Sequence, residues 1–152
     1  WILRQAVKAL DLEGQVSFFR NNIDHYTGAT FGCHENYSMK RDAPLEERNV
    51  LSLLSLLTLR ALVCGAGRIG SIFDLRNPPE TKVDTSTVDF QITQRADYIR
   101  NDFYEWVQFN RAIINTRDEP LADPRRFRRL HLLHGDTSVL SATTALKIGV
   151  AR

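Results

Sequence analysis

The chain has 152 residues, 43% hydrophobic and 25% charged, enough for one ordinary domain around a single core. Its formal charge of +2 is too small to create a global field toward nucleic acid or an anionic membrane. The two cysteines, Cys33 and Cys64, lie far apart and match no CxxC spacing, which argues against structural zinc and fits a reduced, cytoplasmic protein.

Residues 1–13 place Ile2, Leu3, Ala6, Val7 and Leu10 at helical spacing, with Gly14 as the expected C-cap. The helix is already under way at Trp1, and Arg152 follows no terminal signal, so the chain reads as an excerpt of a longer sequence. No basic leader with a cleavage site opens it. Residues 16–20 predict a short strand and residues 21–28 a loop. Residues 29–41 alternate with period two. Phe31, Cys33, Tyr37 and Met39 face one way, with Glu35 the polar exception. Thr30, His34, Asn36 and Ser38 face the other. That predicts a strand with one core face and one chemically capable face.

Asp42 offers an N-cap, while Pro44, Glu46 and Glu47 suit a first helical turn. The helix is predicted to reach Cys64 and end at Gly65-Ala66-Gly67. Arg60 interrupts its apolar run after about a dozen residues, short of the roughly 20 that span a bilayer, so a buried helix is expected and no membrane partner. Residues 71–87 form the one long loop. Residues 88–95 alternate again, and residues 96–109, with Tyr98, Phe103, Trp106 and Phe109, look helical. Residues 112–117 form a strand, and Pro120, Asp123 and Pro124 mark a loop. Residues 127–134 set Leu130 and Leu132 against Arg129 and His131. A helix from about residue 139 to 147, stopped by Gly149, closes the pattern. The expected fold is α+β, with helices on one face of a sheet and His34, Asn36, Arg95, Arg129 and His131 on the other.

Such a face is costly unless it is wet or holds a ligand, because unpaired buried cations cost several kcal/mol each. A polyphosphate with its metal would offset this: guanidinium forks match phosphate oxygens, and neutral imidazoles can join Mg²⁺ or Mn²⁺ beside carboxylates. Each residue alone has a plainer reading. His34 could be a hydrogen-bonded surface histidine, Arg95 and Arg117 the partners of Asp97 and Asp118, and Cys33 core packing. His25 and His134 carry no second signal. Arg125, Arg126, Arg128 and Arg129 read as a solvated face, since alternation splits them between two faces and so argues against a nucleic-acid partner.

The motifs in order are more specific than any one of them. Gly32-Cys33-His34-Glu35-Asn36-Tyr37 resembles the His-Glu-Asn-Tyr segment of the Pup ligase and Pup deamidase/depupylase family, the proteasome accessory factors. It is also similar to the Gly-Cys-His-x-Asn signature of glutamine synthetases, in which the histidine binds metal. Asn21-Asn22-x-Asp24, Gly65-Ala66-Gly67-Arg68, Gln94-Arg95-Ala96-Asp97 and the run from Ile113 through Asn115-Thr116-Arg117-Asp118-Glu119-Pro120 resemble further family motifs. So do Arg128-Arg129-Leu130-His131, Gly135-Asp136 and Leu146-Lys147-x-Gly149. The set covers about residues 16–150 in the family's order. Departures are Leu121 for a usual His, Ser38 for Leu and Ser138 for Asn.

The resemblance implies a glutamine-synthetase-like antiparallel sheet with helices packed on one face, residues 1–152 being the core of that catalytic domain. It implies ATP and Mg²⁺ as cofactors, and Pup and pupylated proteins as partners. His34 and His131 would be metal ligands; Arg95, Arg117 and Arg129, with Asn36, would bind the nucleotide; Arg95 and Arg117 would stabilise charge in catalysis. The family's N-terminal Gly-x-Glu-x-Glu strand and its catalytic aspartate are not found among these residues, so the stretch by itself is expected to be inactive. Gly67-Arg68-Ile69-Gly70 leans toward the depupylase, which hydrolyses the C-terminal Gln amide of Pup or the Pup–lysine isopeptide bond. Cys33 leans toward the ligase, which activates the C-terminal Glu of Pup as an acyl phosphate. A non-catalytic pseudoenzyme or binding module is the alternative of another class.

Overall fold

The computed structural model describes residues 1–24, 27, 29–44, 46–69, 90–105 and 111–151. The long loop of 71–87, His25, the beginning of the 88–95 alternation and the end of the aromatic 96–109 segment lie outside them. In chain order the elements are α1 (Ile2–Ala9), β1 (Glu35–Lys40), α2 (Glu47–Cys64), β2 (Arg68–Ile69), β3 (Phe90–Gln91), β4 (Ile99–Tyr104), β5 (Arg111–Asn115), β6 (Phe127–Leu132) and α3 (Ser141–Val150). Among the described residues, no helix is long and apolar enough to cross a membrane.

Four strands form one sheet in the order β1-β6-β5-β4, and β2 pairs with β3 in a separate ribbon. The sheet is mixed. β1 and β5 run antiparallel to β6, but β4 runs parallel to β5, which corrects the expected antiparallel sheet. Leu54 and Leu57 of α2 pack on Ile114 and Leu132, with Tyr37 and Leu130 at the margin. Those residues occupy alternate positions of their strands, so α2 covers one face and the polar positions fall on the other, as the alternation requires. α3 lies beside α2, where the Lys147 carbonyl accepts a hydrogen bond of 3.0 Å from Arg60. α1 buries none of its residues.

Several elements differ from expectation for local physical reasons. Among the described residues, 16–20 pair with no strand; Phe18 and Phe19 are exposed, and Arg20 donates to the carbonyls of Ser138 and Val139. A β-rich composition makes a strand only where a neighbour offers a ladder. The predicted 29–41 strand is regular only over Glu35–Lys40, because the chain before it is tied to residues 22–24 by the Ile23–Thr30 bridge. Helix α2 is capped at Glu46, not Asp42; Pro44 disfavours helical geometry in Ala43 before it. The segment expected to be helical from 96 is one 3-10 turn (Ala96–Tyr98) followed by β4. Its Asn, Asp, Ile and aromatic residues are modest helix formers, and β5 offers them a ladder. Gly149 does not stop α3, which runs on to Val150.

Candidate functional site

Residues directly opposite on paired strands share a face. Asn36 lies across from His131, His131 across from Asn115, and Ser38 across from Arg129. This row lies on the face away from α2. His34, two residues ahead of Asn36, joins it: its Nδ1 is 3.1 Å from Nε2 of His131, with ring centroids 4.9 Å apart at 63°. Arg129 closes the group. Its Nε donates to Asn36 Oδ1 at 2.7 Å and its Nη2 to His131 Nδ1 at 2.9 Å. A guanidinium only donates, so Nδ1 of His131 accepts, and the ring proton sits on Nε2 facing His34.

Burial, then the charges of Arg129 and His34, push the pKa of His131 down to about 4. His34 is also lowered, by burial first and then by Arg95, Arg129 and Arg111. Both imidazoles are therefore neutral at pH 7, the form that can hold a metal. Arg95 is the sharper anomaly. It is 1% exposed, reaches Thr30 Oγ1 at 3.2 Å through Nη1, and its buried Nε has no partner. Burial and then Arg111 lower its pKa. None of the ion pairs among the described residues includes it. The nearest carboxylate acting on it among the described residues, Asp136, lies beyond ion-pair distance, so an anion would complete this buried guanidinium.

His34, His131, Arg129 and Asn36 are thus brought into direct contact; Arg95, expected on the same sheet face, lies outside the sheet at the start of the 3-10 turn, within electrostatic reach of His34. Arg117 is not joined to them: it pairs with Glu119 at 2.7 Å and is about half exposed, at 54%. Sequence reasoning missed Arg111. It shares its strand face with Asn115, and its guanidinium lies 5.9 Å from the Tyr98 ring centroid. Beginning that strand at residue 112 left it out. The arginine run is spent internally: Arg125 pairs with Asp123, Arg126 covers the Phe127 ring, and Arg128 donates to the Arg41 carbonyl.

Asp136, 4% exposed, holds the segment that presents Arg95. Its carboxylate accepts from the backbone N–H of Ala66 (2.8 Å) and Gln94 (3.0 Å) and from Thr93 Oγ1 (2.8 Å). Buried Asn22 ties the same region together, accepting from the Thr137 N–H and donating to the Phe31 carbonyl.

On the helix side, burial and then Arg60 push the pKa of His134 down to about 4. The unfolded chain, with imidazoles near 6.5, binds more protons than the folded one between pH 6.5 and about 4. The stability contributed by His131 and His134 staying neutral is therefore full above pH 6.5 and is lost as pH falls toward 4. Urea midpoints measured from pH 7 to 4.5 should decline steadily, less steeply in His134→Gln. A flat profile would contradict these assignments.

Phosphate chemistry fits this face well, and metal chemistry fits it in part. The 3.1 Å contact is a hydrogen bond from His131 Nε2 to His34 Nδ1, so His131 can ligate through Nε2 only once Arg129 releases Nδ1 and the ring proton moves there. Among the described residues, no group of three or more His, Cys, Asp or Glu side chains converges to hold an ion.

A family model described as Pup-ligase protein matches residues 1–152. The chain is similar to a Pup–protein ligase of Corynebacterium glutamicum, 40% identical over 140 residues, covering 91% of this chain and 27% of that protein. It is equally similar to a depupylase of Acidothermus cellulolyticus, 40% identical over 134 residues, covering 88% of this chain and 24% of that one. Among solved structures it resembles the Pup ligase PafA of the prokaryotic ubiquitin-like modification pathway in complex with ADP. The TM-score is 0.64 at 36% identity, with 95% of this chain and 29% of that one covered. The chain spans about a quarter of the length of the curated relatives it matches.

Proposed function

The chain belongs to the Pup-ligase family, and from that premise we propose that its polar sheet face is the nucleotide- and metal-binding wall of an ATP-dependent Pup–protein ligase. One observation carries the reading: two neutral, touching imidazoles flanked by guanidiniums, one of them buried and in no ion pair among the described residues. In this reading residues 1–152 form the core of a glutamine-synthetase-like catalytic domain. The mixed sheet with α2 on one face is compatible with it.

Arg95 and Arg129 hold phosphate oxygens, and Asn36 fixes the plane of Arg129 through its 2.7 Å bond. His34 and His131 would supply two nitrogen ligands once Arg129 swings from His131 Nδ1 to a phosphate and the His131 proton moves to Nδ1, and the remaining ligands would come from oxygens beyond the described cluster. Arg117 must leave Glu119 before it can contact an anion. When bound, Mg²⁺·ATP would supply the phosphoryl group that turns the C-terminal Glu carboxylate of Pup into an acyl phosphate open to a lysine amine. The chain's own contribution is charge neutralisation and alignment.

The relatives favour the ligase over the depupylase suggested by Gly67-Arg68-Ile69-Gly70, since Pup–protein ligases of several Corynebacterium species match at 39–40% identity. The Acidothermus depupylase, also at 40%, keeps the hydrolase as the second reading. The test is to give the protein carrying this chain ATP, Mg²⁺, a lysine-bearing acceptor and Pup ending in Glu or in Gln. Conjugate formation with ADP release is expected. Gln deamidation or conjugate cleavage instead would select the depupylase. Nucleotide binding with none of these reactions would leave a binding module.

A further inference from the structure

Behind the polar face, among the core residues, lies a charged cluster that the proposed chemistry does not use. Glu35 sits between His34 and Asn36 but points the opposite way and is 8% exposed. Arg60 of α2 clamps it with Nη1 to Oε2 and Nη2 to Oε1, both 2.9 Å. The Tyr37 hydroxyl donates to Oε2 at 2.7 Å, and Lys147 Nζ stands 3.8 Å from Oε1. Lys147 also donates to the Asp136 carbonyl at 2.9 Å and lies 3.4 Å from Cys33 Sγ. A Cβ on Gly135 would come within 2.8 Å of Glu35 Oε1, so the cluster has little room to shift.

A buried ion pair is weak evidence for stability, because well-packed apolar replacements often hold a fold equally well. Orientation is another matter. Side chains alternate along an extended chain, so gripping residues 33, 35 and 37 from behind fixes where 34 and 36 point in front. We propose that Glu35, Arg60 and Lys147 form a positioning device that sets His34 and Asn36 against His131 and Arg129. It couples the packing of α2 and α3 to the alignment of the metal-binding face. The proposal rests on that face being the site.

The test compares wild-type protein with Glu35→Gln, with Arg60→Lys, and with the double variant Glu35→Leu/Arg60→Met. The double variant removes both charges together and so guards against a simple folding failure. Thermal unfolding first establishes that each variant is folded. Two readouts follow that a purely structural role would not move: the through-space NMR contact between the His34 and His131 rings, and the Mn²⁺ concentration needed for half-maximal ATP binding. In the folded Glu35 variants the ring contact should be lost, and the Mn²⁺ requirement should rise about 10-fold, as for other groups that orient metal ligands. Arg60→Lys, which keeps a cation near Glu35, should recover part of both.

An unchanged ring contact in a folded variant overturns the proposal. Wild-type protein with the ring contact but no Mn²⁺-assisted ATP binding would sink the functional reading instead. The ring comparison would still decide the positioning role.

Discussion

Replacing Arg95 with Met is expected to raise the unfolding temperature while weakening ATP binding about a hundredfold. The two effects share a cause. Arg95 is 1% exposed, has a buried Nε without a partner, and makes one 3.2 Å bond to Thr30. A buried charge held this poorly costs stability, and a Met of similar length removes that cost. A gain of about 1 kcal/mol corresponds to roughly 2–4 °C for a chain of this size. In the proposed role the same guanidinium would meet a phosphate through charge-assisted hydrogen bonds worth about 1.5–3 kcal/mol, or up to roughly a hundredfold in affinity. Calorimetry and titration with ATP on one preparation decide the matter. A lower melting temperature with unchanged affinity would make Arg95 a structural residue and remove it from the site.

Asp136→Ala should be among the most destabilising single substitutions, at about 3–5 kcal/mol. It strips the acceptor from three donors at once, the N–H groups of Ala66 and Gln94 and the Thr93 hydroxyl. Each donor left unpaired in a buried place costs about 1–3 kcal/mol, partly relieved where water can enter. Asp136→Asn keeps one carbonyl acceptor and should lose about half as much. Because Gln94 precedes Arg95, nucleotide affinity should fall with stability, unlike the Arg95 case. Urea unfolding measures the loss. A change below about 1 kcal/mol in Asp136→Ala would mean that this carboxylate is not the hub its contacts suggest.

The polar face was legible because period-two alternation depends on residue type alone. His34 and Asn36 on one strand and Arg129 and His131 on another declared their side before any pairing was known. Glu35 was visible as a polar residue among apolar ones, but its meaning was not, because Arg60 lies 25 residues away and Lys147 on another helix. Pattern shows which positions break the rule; only packing shows what repairs them. The 99–104 segment failed for a related reason. Its aromatics suit a helix or a strand, and the deciding ladder comes from β5, to which local sequence is blind. Arg117 was read by motif as a phosphate contact, but Glu119, two residues on, competes for it. Proximity in sequence favours such a local pair unless an anion displaces it.

The pairing of β1 with β6 also bears on how the molecule reaches its working form. His34 and His131 touch across 97 residues of chain. Closing so long a loop carries an entropic penalty before any contact rewards it, and topologies rich in such contacts fold slowly. Helix α2 can form early from local interactions, but the histidine pair exists only once the last strand has docked beside the first. Refolding followed by helical signal should therefore run ahead of refolding followed by nucleotide capture. A chain still emerging from the ribosome would hold a finished core helix well before it could bind anything.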